Sequence, residues 1–138
     1  FVIDLALDPA KQVVFSRFLQ VVSDAAGRPV LWHCSAGKDR AGWAATLLGL
    51  ALGVPDDAIV EHYLASNIHR PAEGPLAYYA SRGVDAAAVR PFLMVHEKYL
   101  LGALAAIDDR WPTRTAYLAQ ALSLSPDAVE RLRSELIV

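Results

Sequence analysis

The octapeptide His33-Cys34-Ser35-Ala36-Gly37-Lys38-Asp39-Arg40 contains the only cysteine of the chain and an arginine six positions after it. The apolar run 30–33 leads into this segment and is typical of a short buried strand. The apolar stretch 41–54 follows it and predicts a buried helix. A strand, a tight loop of small residues and a helix form a common anion-binding arrangement in α/β proteins, because the amides at the helix N-terminus point at the ligand.

Each residue type in this loop suits the binding of a phosphoryl dianion. The backbone amides of a tight loop can converge on the phosphate oxygens, and Gly37 permits a turn with positive φ. Arg40 opens the helix and can bind two oxygens with its planar guanidinium, which lysine does less well. The same amides favour the thiolate of Cys34, which then becomes a nucleophile at neutral pH. The pattern therefore predicts phosphate-transfer chemistry with Cys34 and Arg40 as catalytic residues.

Residues 33–42, HCSAGKDRAG, resemble the signature loop of the cysteine-based protein tyrosine phosphatases. The Gly-Lys-Asp-Arg core is similar to the bacterial tyrosine and lipid phosphatases that include mycobacterial tyrosine phosphatase B. The likeness continues through residues 50–55, 63–67 and 117–136, although only the loop motif is specific to the family. The resemblance implies that Cys34 is the nucleophile, that Arg40 clamps phosphate and that His33 orders the loop. The residues that it implies for phosphate binding are Ser35, Ala36, Gly37, Lys38, Asp39 and Arg40.

An α/β fold is expected on the same grounds, with a central sheet flanked by helices and a mostly helical C-terminal two-thirds. The 138 residues are expected to form a single phosphatase domain that is the C-terminal portion of a longer one. Because only the strand at 30–33 is evident, the remaining strands are expected upstream or within residues 1–7. Helices are predicted at about 9–26, 40–53, 55–66, 75–82, 100–111, 117–122 and from 126 onward, with Asp85 as the N-cap of one more helix that Pro91 interrupts.

Two positions depart from the pattern of the resembled family. Ala41 stands where a Ser or Thr usually helps to expel the thiolate, which predicts slow hydrolysis of the thiophosphate intermediate. The sequence leaves the identity of the general acid open. Asp39 is the better candidate, because this subfamily places an Asp in the loop, but it also fits a helix N-cap. Asp4 and Asp8 lie upstream of Cys34, and Asp8 also fits an N-cap; if none of these serves, the acid lies on a segment outside the chain.

Other residues near the loop have two interpretations each. Lys38 is either a solvated cation or a contact for a second phosphate. His33 is better explained as a core histidine that positions the loop than as a proton carrier. Trp43, one turn after Arg40, either belongs to the core or lines the pocket.

The composition excludes several classes of protein. With 54% hydrophobic residues and a net charge of −2, the chain can form a substantial core and has no basic surface for nucleic acid. The single cysteine excludes an internal disulfide, and the histidines at 62, 69 and 96 lack metal-ligand spacing, so no metal site is expected. No organic cofactor is expected either, because the loop amides and Arg40 would supply what the reaction needs. The longest apolar run, 14 residues, is too short to span a bilayer, and no signal peptide is evident. A cytoplasmic location is expected, with secretion as the alternative.

These observations predict a phosphomonoester hydrolase, first of all a protein tyrosine phosphatase, acting on a phosphorylated protein. Phosphoserine, phosphothreonine or phosphoinositides are the further substrates. The alternative is a non-catalytic module that binds phosphorylated ligands, motivated by Ala41 and the unassigned acid. A rhodanese-type sulfurtransferase also cradles a cysteine, but its loop lacks an arginine at this spacing. The sequence does not indicate the oligomeric state.

Overall fold

The computed structural model describes residues 1–137, and its regular secondary structure consists of α-helices. The helices are α1 Val2–Leu7, α2 Pro9–Asp24, α3 Asp39–Leu52, α4 Asp56–Leu64, α5 Ser66–His69, α6 Glu73–Ser81, α7 Ala86–Leu93, α8 Glu97–Asp108, α9 Arg114–Gln120 and α10 Pro126–Leu136. Helix α3 packs against α1, α2, α4, α9 and α10 and is the centre of the molecule. The segment predicted to carry the chemistry therefore leads directly into the most enclosed helix.

Helices with clear apolar spacing and caps lie close to their predicted positions. Helix α2 begins at Pro9, and its N-cap Asp8 accepts a hydrogen bond from the Ala10 amide at 2.9 Å. Helix α10 starts in the same way, with the Ser125 hydroxyl accepting from the Ala128 amide at 3.2 Å. Asp85 caps α7, as predicted. Side-chain oxygens at these positions satisfy amides that have no partner inside the helix, which fixes where each helix starts.

The core forms where α3 and α8 meet α1 and α9. Its largest fully buried side chains include Trp43 and Leu47 from α3, Leu100 and Leu104 from α8, and Tyr117 from α9. The Tyr117 hydroxyl donates to the Ala6 carbonyl at 3.0 Å, so the one polar atom of that ring is satisfied where it is buried. This contact fixes α9 against α1.

The predicted central sheet is wrong. Residues 1–137 contain no strand, and the predicted strand at 30–33 has no regular secondary structure. A strand requires a neighbour that exchanges backbone hydrogen bonds with it, and no described segment does so here. Leu31, expected to be buried in a sheet, is 92% exposed. The domain described here is therefore helical.

The segment 1–7, expected as a place for further strands, contains α1 (Val2–Leu7) instead. Val2, Leu5 and Ala6 are buried, and their spacing of three and four residues places them on one helical face. A strand would have alternated buried and exposed positions. Whether residues 1–138 are the C-terminal portion of a longer domain stays a prediction.

The region after α4 differs from its prediction in two smaller ways. The loop expected at 67–74 contains α5 and the start of α6. The Asn67 side chain makes paired hydrogen bonds, both of 2.9 Å, with the Val95 backbone and so fastens this region to the start of α8. Pro91 lies inside α7, which continues to Leu93, so the predicted interruption at this proline is wrong. Across residues 1–137, every helix is too short or too polar to cross a bilayer.

Candidate active site

The signature loop, residues 33–40, is held between α2 and α3 by an indole. The Trp32 ring meets Phe18 of α2 edge to face, with centroids 5.3 Å apart. Its Nε1 donates to the Ala41 carbonyl in the first turn of α3 at 3.3 Å. Gly37 has a φ of +70°, and a Cβ added there would meet no atom within 4 Å. The backbone conformation, rather than a lack of space, therefore favours glycine at this position.

Cys34 is half-buried at the start of the loop, and backbone amides converge on its sulfur. The Gly37 amide donates to Sγ at 3.2 Å. Partial burial raises the pKa of the Cys34 thiol, but amides of Ala41, Ala36 and Gly37 and the positive charge of Arg40 lower it, and the net pKa lies below the ordinary value. The loop thus stabilises the thiolate, the form that acts as a nucleophile.

Arg40 reaches back across the loop, as its spacing predicted. Its Nη2 donates to the Ser35 hydroxyl at 3.0 Å, while the side chain stays exposed. Cys34, Ser35 and Arg40 line one cleft of about 430 Å³ together with Ala36 and Asp39. A guanidinium, backbone amides and a thiol therefore face the same space, which is the arrangement that a phosphate ester requires for attack by sulfur.

The opposite wall of this cleft comes from α1 and α2, and no motif in the sequence indicates it. Leu5, Val14 and Phe15 provide apolar surface, and Lys11 adds a cation. Lys11 lies 3.5 Å from the carboxylate of Asp8, so its charge is partly compensated. These residues reach the loop only through the packing of α1 and α2, which no local motif encodes.

Lys38 and Asp39 form an ion pair beside the cleft, with Nζ 2.6 Å from Oδ2. Lys38 is only 8% exposed and lines a second cleft, of about 490 Å³, that also contains Phe92, Lys98 and Tyr99. Asp39 lines both clefts. Lys38 is the N-cap residue of α3, and no side chain forms a capping hydrogen bond there. The prediction that Asp39 is the N-cap is therefore wrong.

The upstream carboxylates Asp4 and Asp8 both form ion pairs with Lys11. Asp8 caps α2, and its hydrogen bond from the Ala10 amide, with help from Lys11, lowers its pKa against the opposing effect of burial. Neither Asp4 nor Asp8 lines the cleft at Cys34. Asp39 is the carboxylate that the described residues bring to that cleft.

The structure shows where His33 and Trp43 lie relative to the loop. His33 is exposed and takes part in no hydrogen bond with the described residues, so the expectation of a buried core histidine is wrong. Its role in ordering the loop stays a prediction. Trp43 is fully buried and lines neither cleft, so its assignment to the core is confirmed.

The lowered pKa of Cys34 predicts how alkylation depends on pH. We expect iodoacetamide to modify the folded chain with a pH midpoint below that of the unfolded chain, because the pKa of the Cys34 thiol is lowered in the loop. Because the charge of Arg40 contributes to the lowering, Arg40→Gln should raise this midpoint. The chain unfolded in urea is the control and should return the ordinary midpoint. A folded midpoint at or above the unfolded one would contradict stabilisation of the thiolate by the loop.

Comparison with known proteins finds similar sequences over most of the chain. Residues 3–138 match a family model described as the tyrosine phosphatase family. A protein of Cupriavidus necator named as a candidate tyrosine-protein phosphatase is 40% identical, over 80% of this chain and 40% of its own length. The triple specificity protein phosphatase PtpB of Mycobacterium tuberculosis is 35% identical, over 82% of this chain and 45% of its own length. The chain thus spans less than half the length of these curated relatives.

Proposed function

The chain belongs to the tyrosine phosphatase family, and on that premise we propose that it hydrolyses phosphate monoesters through a thiophosphate on Cys34. One observation carries this proposal: the Cys34 sulfur accepts a backbone hydrogen bond at 3.2 Å in a cleft that it shares with Arg40. The amides and the guanidinium favour negative charge both on the sulfur and on a phosphate above it.

In the first step the Cys34 thiolate attacks phosphorus. The S–P bond forms while the P–O bond to the leaving group breaks, and the leaving oxygen takes a proton. We assign this proton to the protonated form of Asp39, released from its ion pair with Lys38, because its carboxyl group lines the cleft at the sulfur. The amides of residues 35–40 and the guanidinium of Arg40 stabilise the charge on the phosphoryl oxygens.

In the second step water attacks phosphorus and the S–P bond breaks. Inorganic phosphate leaves, the thiolate of Cys34 returns, and Asp39 takes the proton of the water, which restores the starting state. The methyl group of Ala41 cannot donate a hydrogen bond to the departing sulfur. The backbone amide of the same residue does contribute to lowering the pKa of the Cys34 thiol, so part of the stabilisation of the leaving thiolate remains.

Phosphotyrosine is the first substrate in this proposal. Leu5, Val14 and Phe15 line the cleft beside the sulfur and offer apolar surface to an aromatic ring. Phosphoserine, phosphothreonine and phosphoinositides are the further substrates; the Mycobacterium tuberculosis relative is named for triple specificity. Lys38 and Lys98 in the second cleft supply positive charge for an additional phosphate. A phosphorylated protein is the proposed partner, and a cytoplasmic location stays a prediction.

A non-catalytic phospho-binding module is the second candidate, favoured by the methyl group at position 41. Such a module would hold a phosphorylated ligand on the loop amides and Arg40 and would release no product. The phosphatase releases product in the first turnover, whereas the binding module releases none.

Rapid mixing with 4-nitrophenyl phosphate is expected to give a burst of one nitrophenol per Cys34 and then a slow steady state. The slow phase reflects thiophosphate hydrolysis without a hydroxyl at position 41. Ala41→Ser should raise the steady-state rate about tenfold, or 1.4 kcal/mol, and leave the burst unchanged. Ala45→Ser, one turn later on α3, is the matched control and should change neither phase. Phosphate binding without any release of nitrophenol would favour the binding module.

A further inference from the structure

We propose that Lys98 is a specificity-determining residue, which binds the side-chain carboxylate of an acidic residue next to the phosphotyrosine of a protein substrate. The inference rests on the proposed function, because it assumes that a phosphorylated peptide enters the cleft at Cys34. It adds a subsite for the residues beside the phosphotyrosine and assigns that subsite to the second cleft, of about 490 Å³.

The second cleft adjoins the cleft at Cys34. Phe1 and Asp39 line both clefts, so the two spaces meet at these side chains. Consecutive Cα atoms of a peptide are only about 3.8 Å apart. A peptide whose phosphotyrosine enters the cleft at Cys34 can therefore place a neighbouring side chain in the second cleft.

Lys98 supplies the positive charge that a ligand in the second cleft can reach. It is exposed, and it forms no ion pair with the residues that the structure describes. Lys38 also lines this cleft, but it is only 8% exposed and its Nζ lies 2.6 Å from the carboxylate of Asp39. Glu97, which precedes Lys98 in the chain, lines a different cleft. An incoming carboxylate would therefore meet one uncompensated ammonium group.

The ring of Tyr99 supports the ammonium group of Lys98. Nζ lies 5.6 Å from the ring centroid, within the range of a cation–π attraction, and Tyr99 lines the same cleft. The ring in turn meets the His96 ring edge to face, with centroids 5.2 Å apart. This support restricts a long side chain before a ligand arrives, so less conformational entropy is lost on binding.

The second cleft suits an acidic side chain better than a second phosphate. Its other lining residues include Phe1, Phe92 and Met94, which offer apolar surface to the methylene groups of a glutamate. One accessible ammonium group matches the single charge of a carboxylate, whereas a phosphate monoester carries close to two charges. The second cleft is therefore better matched to an acidic peptide than to the additional phosphate of a phosphoinositide.

The test measures kcat/KM for phosphotyrosine peptides that differ in one residue, which is glutamate, glutamine or lysine. This residue is placed in turn at each of the two positions on either side of the phosphotyrosine. At the position that reaches Lys98, the unmodified chain should prefer glutamate to glutamine about fourfold, as expected of an exposed ion pair. The preference should lie in KM rather than in kcat, because the ion pair is the same in the ground and transition states. High salt should weaken it, since exposed charges are screened.

Lys98→Met should abolish the preference for glutamate, and Lys98→Glu should reverse it in favour of lysine at the same position. Arg82→Met is the matched control. Arg82 is also an exposed cation over a tyrosine ring, with Cζ 5.1 Å from the centroid of Tyr78, but it lines neither cleft. This control variant should keep the preference of the unmodified chain.

The inference would be overturned by a preference for glutamate that persists in Lys98→Met, or by its absence in the unmodified chain. If Lys98→Met lowered hydrolysis of a short-chain phosphatidylinositol bisphosphate and kept the preference for glutamate, the second cleft would serve a lipid phosphate instead.

Binding of the same peptides to Cys34→Ser, measured by isothermal titration, separates this inference from the proposed function. The preference for glutamate should appear in these affinities, because binding does not require the thiolate. A chain that releases no product and still shows this preference would overturn the proposed function alone. A chain that turns over every peptide without the preference would overturn the assignment of Lys98 alone.

Discussion

Cys34→Ser is expected to lower hydrolysis of 4-nitrophenyl phosphate by about 10⁴-fold or more. The amides that converge on position 34, including that of Gly37 at 3.2 Å, favour a group that is already close to ionising. A thiol is such a group, whereas a serine hydroxyl stays protonated at neutral pH and attacks phosphorus poorly. The steady-state release of nitrophenol, with the unmodified chain measured alongside, gives the ratio directly.

Binding of phosphate should survive the same substitution. The loop amides and Arg40, rather than the sulfur, supply the donors for the anion, and a serine has nearly the size of a cysteine. Isothermal titration with inorganic phosphate measures this affinity, and Cys34→Ala is a control that lacks both sulfur and hydroxyl. Hydrolysis by Cys34→Ser at the rate of the unmodified chain would refute a mechanism that depends on the thiolate.

The loop was predictable because its chemistry is local. Glycine at 37, cysteine at 34 and arginine at 40 each have a physical role that follows from residue type and spacing, and the structure brings all three into one short turn. The helices with capping residues were predictable for the same reason. Asp8 and Ser125 each satisfy an amide two or three residues ahead, which needs no knowledge of the rest of the fold.

The apolar run 30–33 alone could not show that this segment forms no strand. An apolar run of four residues has no periodicity that distinguishes a paired strand from an irregular segment, and only a neighbouring strand makes the difference. The helical spacing of Val2, Leu5 and Ala6 is present in the sequence, but α1 has only six residues, too few for the pattern to be distinctive. Local sequence therefore does not establish the architecture around the loop.

The parts of the site that depend on packing were missed for a related reason. Lys11 and Phe15 reach the cleft because α2 packs against α3. Neither residue belongs to a motif with Cys34. Contacts between distant segments, rather than spacing along the chain, bring these side chains to the site.

Arg40→Lys is expected to lower the rate of the burst with 4-nitrophenyl phosphate about 10³-fold, although the charge is kept. The arginine already spans the loop, with Nη2 3.0 Å from the Ser35 hydroxyl, and this leaves the other nitrogens of its planar fork for phosphate. A lysine ammonium is a single point of charge and cannot bind two oxygens in a fixed plane. Because the three phosphoryl oxygens become equatorial only in the transition state, where the planar guanidinium can bind two of them, the rate should fall more than the affinity for inorganic phosphate. Arg110→Lys is the control, since Arg110 is exposed and lines neither cleft. Equal burst rates for Arg40→Lys and the unmodified chain would mean that charge alone, without the paired geometry of the guanidinium, stabilises the transferred phosphoryl group.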